Sequence, residues 1–153
     1  MLLLHPRNVI TRCVGALAAT AAIALAVSVL DPAPAHSEEA IAIELNKLEP
    51  QGDQCRAYLV IQNKGDLDYS ELKLDLVLFR PDQVIARRFA VELAPLKPNK
   101  RTVKLFDLED TACSDVGSFL INDVMECKTA SGPLPDCLQN IGVSSLSDVQ
   151  LTK

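Results

Sequence analysis

The sequence predicts an all-β fold: an immunoglobulin-like antiparallel β-sandwich of about seven strands, stapled by disulfides and preceded by an N-terminal signal helix. Three observations carry that prediction. Behind residue 37, apolar residues alternate with period two, and no segment keeps a long 3.6-residue repeat. Turn signals recur roughly every 8–12 residues. Four cysteines lie in this part, Cys55, Cys113, Cys127 and Cys137, with no C-x-x-C pair among them.

The first strand is read from Ile41, Ile43 and Leu45, which alternate with Ala42 and Glu44. A second follows from Cys55, Ala57, Leu59 and Ile61, alternating with Arg56, Tyr58, Val60 and Gln62. The stretch NKGD at 63–66 supplies a turn. Leu72, Leu74, Leu76 and Leu78 form the clearest alternating face, and Val77 and Phe79 make the opposite face apolar too, as in a central strand covered on both sides. Pro81-Asp82-Gln83 reads as a hairpin turn. In VIARRFAVEL, Ile85, Phe89, Val91 and Leu93 share a parity that Arg87 interrupts, and a β-bulge near Arg87-Arg88 is expected. Pro95 and Pro98 bound a connection. Val103 and Leu105, flanked by Thr102 and Lys104, open the next strand. EDTACSDVG at 109–117 reads as a loop or one helical turn. SFLINDVMEC is a further strand with a bulge expected at Asn122-Asp123. The tail from Ile141 to Lys153, with Val143, Val149 and Leu151 on one parity, reads as a single edge strand.

Residues 1–37 read as an export signal. Arg7 and Arg12 supply the basic start, and residues 13–30 form an 18-residue uncharged run containing seven alanines. Asp31 and Pro32 end it. Small residues then stand at signal-peptidase spacing, as Ala33-Pro34-Ala35 before His36 or Ala35-His36-Ser37 before Glu38. Cleavage is expected, with an uncleaved membrane anchor as the alternative. Adjacent arginines are absent, so general secretion to the periplasm is the expected route. Residues 38–153 then form one domain of 116 residues.

Without Arg7, Arg12 and Asp31, that domain holds 13 basic and 19 acidic side chains, a net charge of −6. An acidic surface is a poor match for a phosphate backbone, so no nucleic-acid partner is expected. The chain has no Trp, which leaves few platforms for stacked bases or sugars.

The cysteine spacings of 58, 14 and 10 suit neither zinc nor a dithiol redox centre. Structural disulfides are expected. Three connectivities exist, and Cys55–Cys113 with Cys127–Cys137 is favoured: Cys55 falls in the inward set of its strand, and the second pair flanks the turn-rich TASGPLPD.

His5 and His36 are the sole histidines, one in the signal start and one at the cleavage point. A Ser–His or Cys–His nucleophile is therefore excluded from the domain, and no G-x-S-x-G, phosphate loop or H-E-x-x-H occurs. No enzyme activity and no cofactor are expected. Acid pairs for glycoside hydrolysis can be drawn from 19 carboxylates, but nothing constrains them. Asn63, Asp66, Asp68 and Glu71 are calcium candidates, oxygen-bearing side chains gathered around one turn without EF-hand spacing. Arg87, Arg88, Lys97, Lys100, Arg101 and Lys104 are the one basic cluster. If their two strands pair, they share a face suited to lipid headgroups or an acidic partner. Otherwise they guard exposed strand edges.

The block from Gln51 to Asp110, QGDQCRAYLVIQNKGDLDYSELKLDLVLFRPDQVIARRFAVELAPLKPNKRTVKLFDLED, resembles a family of exported alphaproteobacterial proteins. Its label, "Tat pathway signal sequence domain protein", names no activity. The later FLINDVMEC and the Asp-Cys at 136–137 resemble it too. NKGDLDYSELKLDLVLF is also similar to the opening hairpin of bacterial immunoglobulin-like accessory domains. Export, disulfide stapling and the lack of a catalytic constellation lead to the expectation of a non-catalytic periplasmic interaction or accessory module of a cell-envelope assembly. Inner-membrane proton-channel machinery of the TolQ/ExbB kind is a partner associated with such proteins. Membrane contact is expected only through an uncleaved signal or the basic cluster. The alternative is a periplasmic protein binding a small ligand or calcium.

Overall fold

In the computed structural model, residues 39–153 are described, and the signal segment expected at 1–37 lies outside them. Strands β1 (Ile41–Gln51) and β2 (Gln54–Asn63) form a hairpin around Gly52, whose φ of 62° is the left-handed conformation that glycine adopts without strain. β3 (Tyr69–Phe79) and β4 (Ile85–Glu92) form the next hairpin, and β5 (Arg101–Leu108) returns to pair with β2. A single 3-10 turn at Cys113–Asp115 leads into β6 (Ser118–Thr129). Short β7 (Gly132–Pro133), a second 3-10 turn (Cys137–Asn140), β8 (Ile141–Ser145) and β9 (Gln150–Thr152) complete the chain.

These strands make two sheets, ordered β5-β2-β1-β8 and β4-β3-β6-β7, with β9 also paired to β6. The domain is an all-β sandwich, and its long ladders are antiparallel. Two peripheral pairings, β1 with β8 and β6 with β9, are parallel, and among the described residues nine strands replace the expected seven. The alternating residues of the first three strands do what their periodicity demands. Ile41, Ile43, Leu45, Cys55, Ala57, Leu59, Ile61, Leu72, Leu74, Leu76 and Leu78 are all buried between the sheets. Both favoured disulfides are present. Cys55–Cys113 ties β2 to the crossover from β5 to β6, and Cys127–Cys137 ties the end of β6 to the second 3-10 turn. Two disulfides fit an oxidising environment. Among the described residues, no helix is long and apolar enough to cross a membrane.

Four details depart from the sequence reading or refine it. The β6 bulge falls at Asn122, as expected, and a second one falls at Met125. The β4 bulge sits at Ala86 rather than at Arg87-Arg88: Leu78 faces Arg87 while Phe79 faces Ile85. Arg87 therefore stays on the inner-face parity, and Ile85 is the residue turned to solvent. On β5, Val103 and Leu105 face outward, while Thr102, Lys104, Phe106 and Leu108 face Ile61, Leu59, Ala57 and Cys55. Finally, the tail is two strands in two sheets. The Ser145 hydroxyl donates to the carbonyl of Val149 (2.6 Å) and accepts from the Ser147 backbone N–H, which builds a turn where a continuous strand would need ladder bonds.

Candidate interaction surface

The two sides of the sandwich differ. On one side the β7, β8 and β9 segments flank β1 and β6 and carry the chain between the sheets. On the other, β4 and β5 are both open edges. Their inner faces meet through Phe89 and Phe106, whose ring centroids are 5.8 Å apart, and Phe106 stands edge-on to Phe119 at 6.3 Å.

Of the two open edges, β5 is the regular one. It pairs with β2 through eight consecutive residues with no register shift, whereas β4 carries its bulge at Ala86. The Asn63 N–H donates to the Lys100 carbonyl in that same register. By the alternation of an antiparallel ladder, Thr102, Lys104 and Phe106 also turn their backbone groups to β2. Arg101, Val103, Leu105 and Asp107 then present theirs to the open side.

The same four residues carry the outer-face side chains of β5. Val103 lies beside Val60, and Leu105 beside Tyr58. Val103 is 52% exposed and Leu105 51%. This apolar strip has a charged frame. Arg56 makes two bonds to Asp107, at 2.7 and 2.9 Å, and Arg101 reaches Glu44 at 3.8 Å. Lys47 Nζ lies 4.3 Å from the centroid of the Tyr58 ring, and the Tyr58 hydroxyl donates to Glu49. That hydroxyl first, and then Lys47, hold the Glu49 carboxyl below its usual range, and Arg56 does the same for Asp107. Tyr58, Val60, Val103 and Leu105 were not singled out by sequence reasoning. The available signal was an apolar pair, Tyr58 and Val60, on a strand face that otherwise carries Arg56 and Gln62.

The six basic candidates all border this open side, but they do not share a face, because β4 and β5 belong to different sheets. Arg87 and Lys104 lie on inner-face parities. Arg87 donates to the Glu109 carbonyl at 2.9 Å, with its guanidinium 5.5 Å from the Phe89 ring centroid, and Lys104 donates to the Ala94 carbonyl at 2.9 Å. Arg88 turns to the outer face of the other sheet and binds Asp75. Lys97 pairs with Asp68 at 2.7 Å, Arg101 reaches Glu44 as above, and Lys100 makes no ion pair among the described residues.

The calcium candidates are not assembled either. The Asn63 amide is fully buried and donates to the carbonyls of Leu67, Leu96 and Lys97, while its oxygen accepts the Gly65 N–H. Asp66 accepts from Asn99, Asp68 from Lys97 and Glu71 from Lys128. Among the described residues, no group of three His, Cys, Asp or Glu is placed to hold a metal ion. A surface hollow of about 480 Å³ lies beside the Cys127–Cys137 bridge, lined in part by Met125, Lys128, Leu134, Asp136 and Leu138.

No protein-family model matches the chain, and no curated relative matches it. The solved structure titled "Structural characterization of IrmA from Escherichia coli" is similar at 14% identity and a TM-score of 0.48, covering 67% of this chain and 89% of that one.

Proposed function

We propose that the chain is a non-catalytic interaction module of a cell-envelope assembly, an immunoglobulin-like domain that acts in the periplasm through the open β5 side of its sandwich. The observation that supports this most is the strip of half-exposed Val103 and Leu105 beside partly buried Val60 and Tyr58, framed by ion pairs and lying against an unpaired strand edge. A charged rim around an apolar centre is the anatomy of a protein interface. Two disulfides support an exported location, and the carboxylates nearest the strip, Glu44, Glu49 and Asp107, are engaged with Arg101, Lys47 and Arg56.

The test is site-specific photo-crosslinking in the native cell. A crosslinker at Val103 or Leu105 is expected to capture an envelope protein, while one at Leu146, on the far side, captures none. Recovery of the uncrosslinked chain from every position rejects the proposal.

A further inference from the structure

We propose that the free edge of β5 receives an extended acidic–apolar segment of a partner polypeptide as an added strand, with a carboxylate opposite Lys104 and apolar side chains beside Val103 and Leu105. This deepens the interaction-module reading and rests on it.

Three features converge on that occupant. The first is backbone chemistry. Arg101, Val103, Leu105 and Asp107 turn N–H and C=O groups to the open side of an unbulged eight-residue strand, the template that strand addition requires. The neighbouring edge, β4, is broken by its bulge at Ala86, and the Arg88 side chain in its middle is held by Asp75.

The second is the alternation of side chains along β5. Outward stand Val103 and Leu105, continuous with Val60 and Tyr58. Inward stands Lys104, with Arg87 on the inner parity of the facing edge. An added strand alternates in step with its neighbour, so its outer positions meet an apolar strip and its inner positions meet cations.

The third is charge. Arg87, Arg88, Lys97, Lys100, Arg101 and Lys104 border this side of a domain that is otherwise acidic. Asp107 and Glu92 are the carboxylates nearest in sequence on the two edges. Asp107 is bound by Arg56, and Glu92 accepts the backbone N–H groups of Leu72 and Ala94. Arg88, Lys97 and Arg101 are taken by Asp75, Asp68 and Glu44, and Glu109, Asp110 and Asp115 line the hollow beside Arg87. Lys104, with Lys100 before the strand, is therefore the charge along β5 that a carboxylate would meet.

A second copy of the chain fits less well. The two-fold register that would set Arg101 against Asp107 and Val103 against Leu105 also sets Lys104 against its own copy, and like charges directly opposite one another oppose pairing. An acidic partner removes that conflict.

The experiment uses the exported full chain and capped nine-residue peptides with valine and glutamate alternating, followed by fluorescence anisotropy at low salt. Binding of the glutamate peptide is expected, and the same peptide with lysine for glutamate binds about tenfold more weakly or not at all. Lys104→Glu, checked for an unchanged melting profile, reverses that preference, and Lys104→Gln abolishes it. N-methylation of one alternate set of peptide residues, the valines or the glutamates, removes binding while the other set is tolerated, because only one set faces β5. Equal tolerance of both sets, or equal binding of the two charge patterns, overturns the proposal. So does binding to phosphatidylglycerol vesicles in place of the peptides, or sedimentation of the wild-type chain as a β5-mediated dimer. Failure of the peptides with crosslinks still captured at Val103 removes strand addition alone and leaves the interaction-module reading standing.

Discussion

Arg88 closes over Asp75. Its Nε and Nη2 each donate to one carboxylate oxygen at 2.6 Å, and Asn122 adds a third bond at 2.7 Å from its place in the β6 bulge. Asp75 stands in the middle of β3 with only 4% of its surface exposed. The guanidinium beside it holds its carboxyl below the ordinary value of 3.8. In the interval between the two values, the unfolded chain takes up a proton that the folded chain refuses. The pair's stabilisation is therefore complete above the unfolded value and is lost as pH falls through the depressed folded one. Arg88→Ala is expected to be less stable than the wild type at pH 7, and that gap closes as pH falls below about 4. Urea unfolding at pH 7 and pH 3 measures it. A gap of equal size at both would show that Arg88 stabilises the sheet by packing and not by its charge.

The two disulfides close loops of very different length, with sequence separations of 58 and 10. If each acts by restricting the unfolded chain, the long one contributes about 4 kcal/mol and the short one about 3 kcal/mol. Cys55 also lies in the core and its bridge fixes the crossover between sheets, whereas Cys127–Cys137 pins a peripheral turn. The paired substitution Cys55→Ala with Cys113→Ala is expected to lower stability more than Cys127→Ala with Cys137→Ala. Chemical denaturation of both double variants decides it, and the opposite ranking would mean that the short bridge organises more of the fold than its position implies.

Much of this architecture was legible because burial on one face imposes a strict period. Leu72, Leu74, Leu76 and Leu78 have no other arrangement that hides them, and the conflict around Asn122 has no resolution except a bulge. Legibility fails at the open side. On β5, Lys104 stands on the inner parity because the space beside an edge strand is wet enough for an ammonium on a flexible stem to reach the Ala94 carbonyl. The alternation of Val103 and Leu105 with Thr102 and Lys104 therefore marks a strand without marking its inner face, and the strip they complete is not legible from it. The tail failed for a different reason: hydroxyl-to-backbone bonds at Ser145 and Ser147 turn the chain without any apolar signal.

Asn63 spends its whole hydrogen-bonding capacity on the connection between β2 and β3 and on the chain after Leu96. Replacing it with leucine removes the side-chain donor to the Leu67 and Lys97 carbonyls and the acceptor of the Gly65 N–H, while the Leu96 carbonyl keeps the Tyr69 N–H. A loss of about 2 kcal/mol is expected. Asn63→Asp is no remedy, because a carboxylate offers no donor to those carbonyls. The same geometry bears on calcium. With the Asn63 side-chain oxygen taken by the Gly65 N–H, and Asp68 and Glu71 each bound to a lysine, millimolar calcium is expected to leave the melting temperature unchanged. A calcium-dependent rise of several degrees in the wild type, absent from Asp66→Asn, would reinstate the metal site.

Lys104 has a second consequence on the open side. An inward-pointing charge in the middle of an edge strand raises the free energy of pairing with another edge, since the ammonium would be driven between two apolar layers. β5 has no bulge and no proline to serve that purpose instead. Lys104→Val keeps β-propensity, extends the apolar character of the inner face and removes the one obstacle to edge-to-edge pairing. The expected outcome is a concentration-dependent dimer in sedimentation velocity, absent from the wild type and from Lys64→Val, which removes a charge from the turn after β2. Lys104→Glu restores the inward charge and with it the monomer. Equal self-association of Lys104→Val and Lys64→Val would assign the effect to net charge, and the edge would then be protected by something other than Lys104.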